Sequence, residues 1–138
     1  MFTFGRDHEI KHAINFIGNE EKAELLTQVI NAVHDILEEK VGVEDAKPIF
    51  VTAFSEGKGG VWESTGKWIR KLGSEYPQIL DIWVLLASNN KAAVRYKVAC
   101  FLDEMPEALA HTLGSTLAID KSKKVKSMAE ARLDEISS

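Results

Sequence analysis

The 138-residue chain has a single cysteine, Cys100. An internal disulfide is thereby excluded, and with it the stapled folds of small secreted proteins. Cys100 lies inside an apolar helical pattern and reads as a small core residue. Long apolar runs are missing too. The longest, Ile79 to Ala87, is interrupted by Asp81 and falls well short of the roughly twenty residues that cross a bilayer. The first residues, Met1-Phe-Thr-Phe-Gly-Arg-Asp-His8, show no basic region followed by an apolar run, so no secretion signal is read. A cytoplasmic protein without a membrane partner is expected. Sheet-forming segments are equally scarce: only Pro48 to Phe54 is rich in β-branched and aromatic residues. An isolated strand is not stable, and Ile49, Phe50, Ala53 and Phe54 also recur at helical spacing, so helix is favoured over strand there.

An excess of one charge is also absent. The net charge is -4, but residues 1–57 hold 11 acidic and 5 basic side chains whereas the remainder holds 10 and 12. No concentrated basic face of the kind that grips nucleic acid emerges. An acidic front and a mildly basic back suit another protein as partner. The length predicts one domain, residues 1–138, with one core.

What the chain does contain is amphipathic helix. Ile10, Ala13, Ile14 and Ile17 follow the helical period between Asp7, a candidate N-cap, and Gly18, a candidate stop. A second helix is predicted from Asn19 through Leu25, Leu26, Val29, Ile30, Val33 and Ile36 to about Lys40. Helices follow over Glu44 to Ser55, Val61 to Leu72, Pro77 to Ser88, Asn90 to Asp103, Pro106 to Ala118 and Lys121 to Ile136, with Pro77 and Pro106 at first helical positions. That makes about eight short helices, paired two by two.

The last four repeat a pattern. Leu80 and Val84 match Leu109 and Leu113 at an offset of 29, and Val94, Val98 and Leu102 match Val125, Ala129 and Leu133 at an offset of 31. Asn89 and Asp120 open the second helix of each pair, and Arg95 and Lys126 hold the same basic position. Over roughly the last 60 residues this pattern resembles the HEAT repeat family. The resemblance implies an all-α, right-handed stack of antiparallel helix pairs, with second helices lining a concave side that binds other proteins.

Several stretches carry the outline of a chemistry. His8-Glu9-Ile-Lys-His12 spells H-E-x-x-H, in which two histidines one helical turn apart bind zinc and the glutamate acts as general base. Lys11 would set a cation beside the metal, and no third ligand stands at a familiar spacing; Glu20, Glu21 and His34 are near only in sequence. Gly60-Val-Trp-Glu-Ser-Thr-Gly66-Lys67-Trp68 has one residue too many for a phosphate-binding loop, and Trp68 replaces the hydroxyl that would meet magnesium. Lys91, Arg95 and Lys97 on one second helix, with Lys121, Lys123, Lys124 and Lys126 on the next, form a basic stripe if the pairs stack in register; Arg70 and Lys71 add to the count. Trp68 and Trp83 keep core company, while Trp62 and Tyr96 are candidates for an exposed anchor.

The expectation is therefore a non-catalytic, cofactor-free protein-binding module. Lys91, Arg95, Tyr96, Lys126 and Trp62 would meet the partner. Its size and acidity suit an adaptor or a bacterial immunity-like protein that masks a toxin. The alternatives are a zinc-dependent hydrolase using His8, Glu9 and His12, and nucleic-acid binding along the lysine and arginine stripe.

Overall fold

A computed structural model describes residues 3–137. Eight α-helices account for most of them: α1 (Arg6–Ile17), α2 (Glu24–Leu37), α3 (Val43–Glu56), α4 (Gly60–Gly73), α5 (Asp81–Ala87), α6 (Ala92–Cys100), α7 (Glu107–Leu117) and α8 (Lys123–Ser137). Short 3-10 turns, Pro77–Leu80 and Leu102–Glu104, lead into α5 and out of α6. No strand occurs among the described residues, and no helix there is long and apolar enough to cross a membrane. Contacts concentrate in two compact units, one ending at Ile82 and the other starting at Trp83.

In the first unit α2 is the central helix. Leu26, Val29, Ile30, Val33 and Ile36 repeat at the helical period and are all buried. They are met by α1 on one side and by α3 and α4 on others. Phe50 and Phe54 of α3 and Ile69 and Leu72 of α4 complete that core at zero exposure. The Pro48 to Phe54 segment is thus helical, and Pro48 sits in the sixth position of α3, where its ring nitrogen cannot donate to the Glu44 carbonyl. Burial of Phe50, Ala53 and Phe54 keeps the helix continuous through it.

The second unit packs α8 against α6, α7 and the Leu102–Glu104 turn. Val94, Val98, Leu102, Leu117, Val125 and Ala129 are buried there, and the Trp83 and Phe101 rings stack at 5.4 Å.

Several boundaries differ from the sequence expectation. Gly5, with φ 102°, precedes α1, so Asp7 falls in the first turn and is not the cap; at the other end Gly18 adopts φ 125°, a backbone that favours glycine. The stretch from Asn19 to Ala23 is turn, because the Asn19 side-chain oxygen accepts the Lys22 amide at 2.8 Å, and α2 begins only at Glu24. Pro106 stands outside α7 with extended ψ, whereas Pro77 does occupy a first helical position. Val84, matched by the repeat to buried Leu113, is 46% exposed.

Candidate functional site

The starts of α6 and α8 in the second unit share one local geometry. The Lys91 amide donates to Asn89 Oδ1 at 2.9 Å, and the Ser122 amide donates to Asp120 Oδ1 at 2.8 Å. The same Asx turn thus opens both helices, 31 residues apart. Arg95 joins the two turns. Its Nε donates to Asp120 Oδ2 at 2.7 Å and its Nη2 to Asp120 Oδ1 at 3.1 Å, while Nη1 donates to the carbonyls of Asn89 at 2.8 Å and Asn90 at 3.1 Å. Both side chains of the pair are only 10% exposed. The two-point contact with Arg95 holds the Asp120 carboxyl below the usual aspartate range, and the same contact raises the guanidinium.

Arg95 was a candidate partner-binding residue, and its position corrects that. Four of the five donors that a guanidinium carries are engaged within the chain, so the side chain is an internal clamp between two helix starts. The remaining members of the stripe are differently placed. Lys91, Lys121, Lys123, Lys124 and Lys126 are exposed, and Lys97 is half-buried, with its amine pushed below the ordinary lysine value by burial. The Lys124 ammonium lies over the Tyr96 ring, 4.6 Å from the centroid, so α6 and α8 contribute to one surface. The adjacent Cys100 sulfur, then burial, raises the Tyr96 hydroxyl above its ordinary value, so the ring remains a neutral phenol at physiological pH. Lys124, absent from the predicted contact residues, is the one that touches the aromatic. The sequence offered it only as part of a lysine run.

The other candidates lie in the first unit. Trp62 is half-buried, its ring edge against Phe54 at 5.7 Å, and Trp68 is 6% exposed with the Lys71 ammonium 4.7 Å from its ring. Both are more engaged with the chain than a free anchor would be. The Gly60 to Trp68 segment is not a loop but the first part of α4, which removes the open backbone that a phosphate cradle needs.

His8 and His12 are exposed on α1, as a helix turn apart requires. Their ring neighbours are aromatic: Phe4 lies 5.6 Å from His8, and Phe16 stacks on His12 at 6.4 Å with 7° between planes. Glu9 Oε1 accepts the Phe4 amide at 3.1 Å. Among the described residues no group of three His, Cys, Asp or Glu side chains is placed to hold a metal ion, so this motif supplies two imidazoles without a completing ligand. Glu20 and Glu21 lie in the turn before α2, and His34 is buried near the C-terminal end of α2, paired with Thr3 Oγ1 at 3.2 Å.

Comparison with known protein families, with curated proteins and with solved structures finds no match for this chain.

Proposed function

We propose that the chain is a non-catalytic protein-binding module built as a HEAT-like stack of helix pairs, acting as an adaptor or as an inhibitor that masks its partner. The reading is supported by the duplicated Asx turn, by the Arg95 clamp between successive second helices, and by the packing of α6 on α8. The observation that carries it is the Lys124 ammonium seated on Tyr96 among exposed lysines. An aromatic ring that carries an exposed ammonium is a surface for an acidic patch of another protein. In this reading Lys91, Lys124 and Lys126 meet the partner, and Arg95 positions the helices that carry them.

The test starts from a partner captured from the native cell by the full chain and then purified. Lys124→Glu and Lys126→Glu should each weaken its binding about tenfold, because a repulsive contact replaces an attractive one at an exposed site. Arg95→Glu is a poor probe, since it would disturb folding. Unchanged affinity in both lysine variants would remove the site. An oligonucleotide that binds with a steep salt dependence would favour nucleic acid as the partner.

A further inference from the structure

A hollow of about 650 Å³ opens at the end of the first unit where α1 passes into α2 and α3 into α4. That volume falls within the roughly 300–1,000 Å³ of sites that take up a ligand. Its apolar lining comes from Phe16 and Ile17 at the end of α1, Leu25 near the start of α2 and Val61 in the first turn of α4. Phe16 continues the four-residue spacing of His8 and His12 along α1, and it is 62% exposed. One edge of its ring rests over Gly60, where a Cβ would stand 2.6 Å from Cε2. The missing side chain at Gly60 lets the ring come close to the start of α4, while most of its surface stays in water.

Three carboxylates stand on the rim: Glu21 in the turn before α2, Glu24 at its first residue and Glu56 at the last residue of α3. All three residues are exposed, and among the described residues none of these carboxylates has a hydrogen-bond or ion-pair partner. By contrast Asp35, Glu38 and Glu44 of the same unit are paired with Arg6 or Lys47. Lys22 and Lys58 also line the hollow, but each ammonium ends a flexible four-carbon stem that turns aside at little cost. Two helices end here and two begin, so their dipoles oppose one another and the side chains set the sign of the field. With three carboxylates to two ammoniums that sign is negative, as in the surrounding unit, where residues 1–82 include 14 acidic and 9 basic side chains. We propose that this hollow takes up a basic, apolar segment of a partner polypeptide, with an aromatic or aliphatic side chain against Phe16 and Val61 and a neighbouring Lys or Arg reaching the rim glutamates. A second copy of the chain would bring the same carboxylates to a two-fold contact, and a nucleic acid or an anionic lipid surface would meet them with like charge. The site uses no residue of the Lys124–Tyr96 surface and does not rest on that assignment.

A displayed library of random peptides about 12 residues long, selected on the full chain, provides the probe. Enriched sequences should set Lys or Arg within about four residues of an aromatic or aliphatic residue, one helical turn at most. A synthetic copy should bind about tenfold more weakly to Glu24→Gln/Glu56→Gln and to Phe16→Ser, and its affinity should fall with added salt. Glu39→Gln/Glu75→Gln removes the same charge from the same unit outside the hollow and should leave the affinity within about twofold. Phe16 is mostly exposed, so its variant keeps the fold even if the rim double variant loses stability, which circular dichroism would report. Absence of enrichment, enrichment of acidic peptides, an equal loss in the rim and control variants, or an affinity unmoved by Phe16→Ser would each overturn the proposal. So would self-association of the full chain that Phe16→Ser abolishes, which would assign the hollow to a second copy.

Discussion

Asp120→Ala is the most revealing single change in the second unit. The substitution leaves the Arg95 guanidinium, 10% exposed, with only the carbonyls of Asn89 and Asn90 as acceptors. An unpaired buried charge of this kind costs about 3–5 kcal/mol, a large part of the stability of a small domain. The same mutation also removes the acceptor of the Ser122 amide that opens α8, worth about 1 kcal/mol more. Asp120→Asn keeps one neutral oxygen and should lose roughly 1–3 kcal/mol. Replacing both partners, Arg95→Met with Asp120→Leu, should recover part of the loss, because no buried charge is then left unpaired, while the Ser122 amide and the Asn89 and Asn90 carbonyls still lose their partners. Asp103→Asn provides the contrast: its contact with Arg132 at 3.6 Å is partly exposed and should change stability by less than about 1 kcal/mol. Urea unfolding followed by circular dichroism measures all four. The pH dependence adds a sign. Because the folded Asp120 carboxyl lies below its unfolded value of about 3.9, the pair stabilises above that pH and the contribution is lost as pH falls through the depressed folded value. Asp120→Asn should therefore flatten the acid limb below about pH 4. A loss under about 1 kcal/mol for Asp120→Ala, or a double variant less stable than Asp120→Ala, would refute the clamp.

Three further outcomes follow from the first unit. Pro48 is exposed within α3 and withholds one backbone donor, so Pro48→Ala should stabilise by about 2 kcal/mol, the roughly 3 for a helix-interior proline less about 1 for the freer unfolded chain; thermal unfolding checks it. Burial, then the charge of Arg6, pushes the His34 imidazole below its ordinary value, so stability should decline as pH drops from about 6.5 towards the folded value. His34→Gln should remove that slope in a urea series between pH 7 and 5. Equilibration with zinc followed by desalting should leave less than one equivalent bound, measured by elemental analysis, and a stoichiometric ion lost on His12→Ala would restore the hydrolase reading.

Helix identity was legible wherever burial enforced a period, as in α2, whose Leu26, Val29, Ile30 and Val33 point one way. The β-rich composition of Pro48 to Phe54 misled less than its spacing informed, because Phe50, Ala53 and Phe54 recur every three or four residues. Boundaries were harder. The Asn19 side chain stabilises a turn with its own oxygen, which composition alone does not separate from a helix cap. Val84 went astray for a rotational reason. Pro77–Leu80 is a 3-10 turn, and four residues at its tighter winding rotate the following helix by about 80° relative to an α-helical start. Its match Leu113 lies in a helix that is α throughout, so equal spacing gave unequal facing. For the candidate site, the repeat placed Asn89 with Asp120 and Arg95 with Lys126, yet each basic residue was set inside its own repeat. That Arg95 crosses to the next Asx turn is a tertiary fact, and it turns a presumed contact residue into a brace.

The four-residue cadence on the flank of α1 has a consequence for how short signatures are judged. Any amphipathic helix that lines up rings at every fourth position can spell a metalloprotease pattern by accident when two neighbouring rings are imidazoles and an acid falls between them. What separates the two cases is the further ligand: a zinc site needs a third His, Cys, Asp or Glu beside its two imidazoles, whereas among the described residues no group of three is so placed and the rings beside His8 and His12 are those of Phe4 and Phe16.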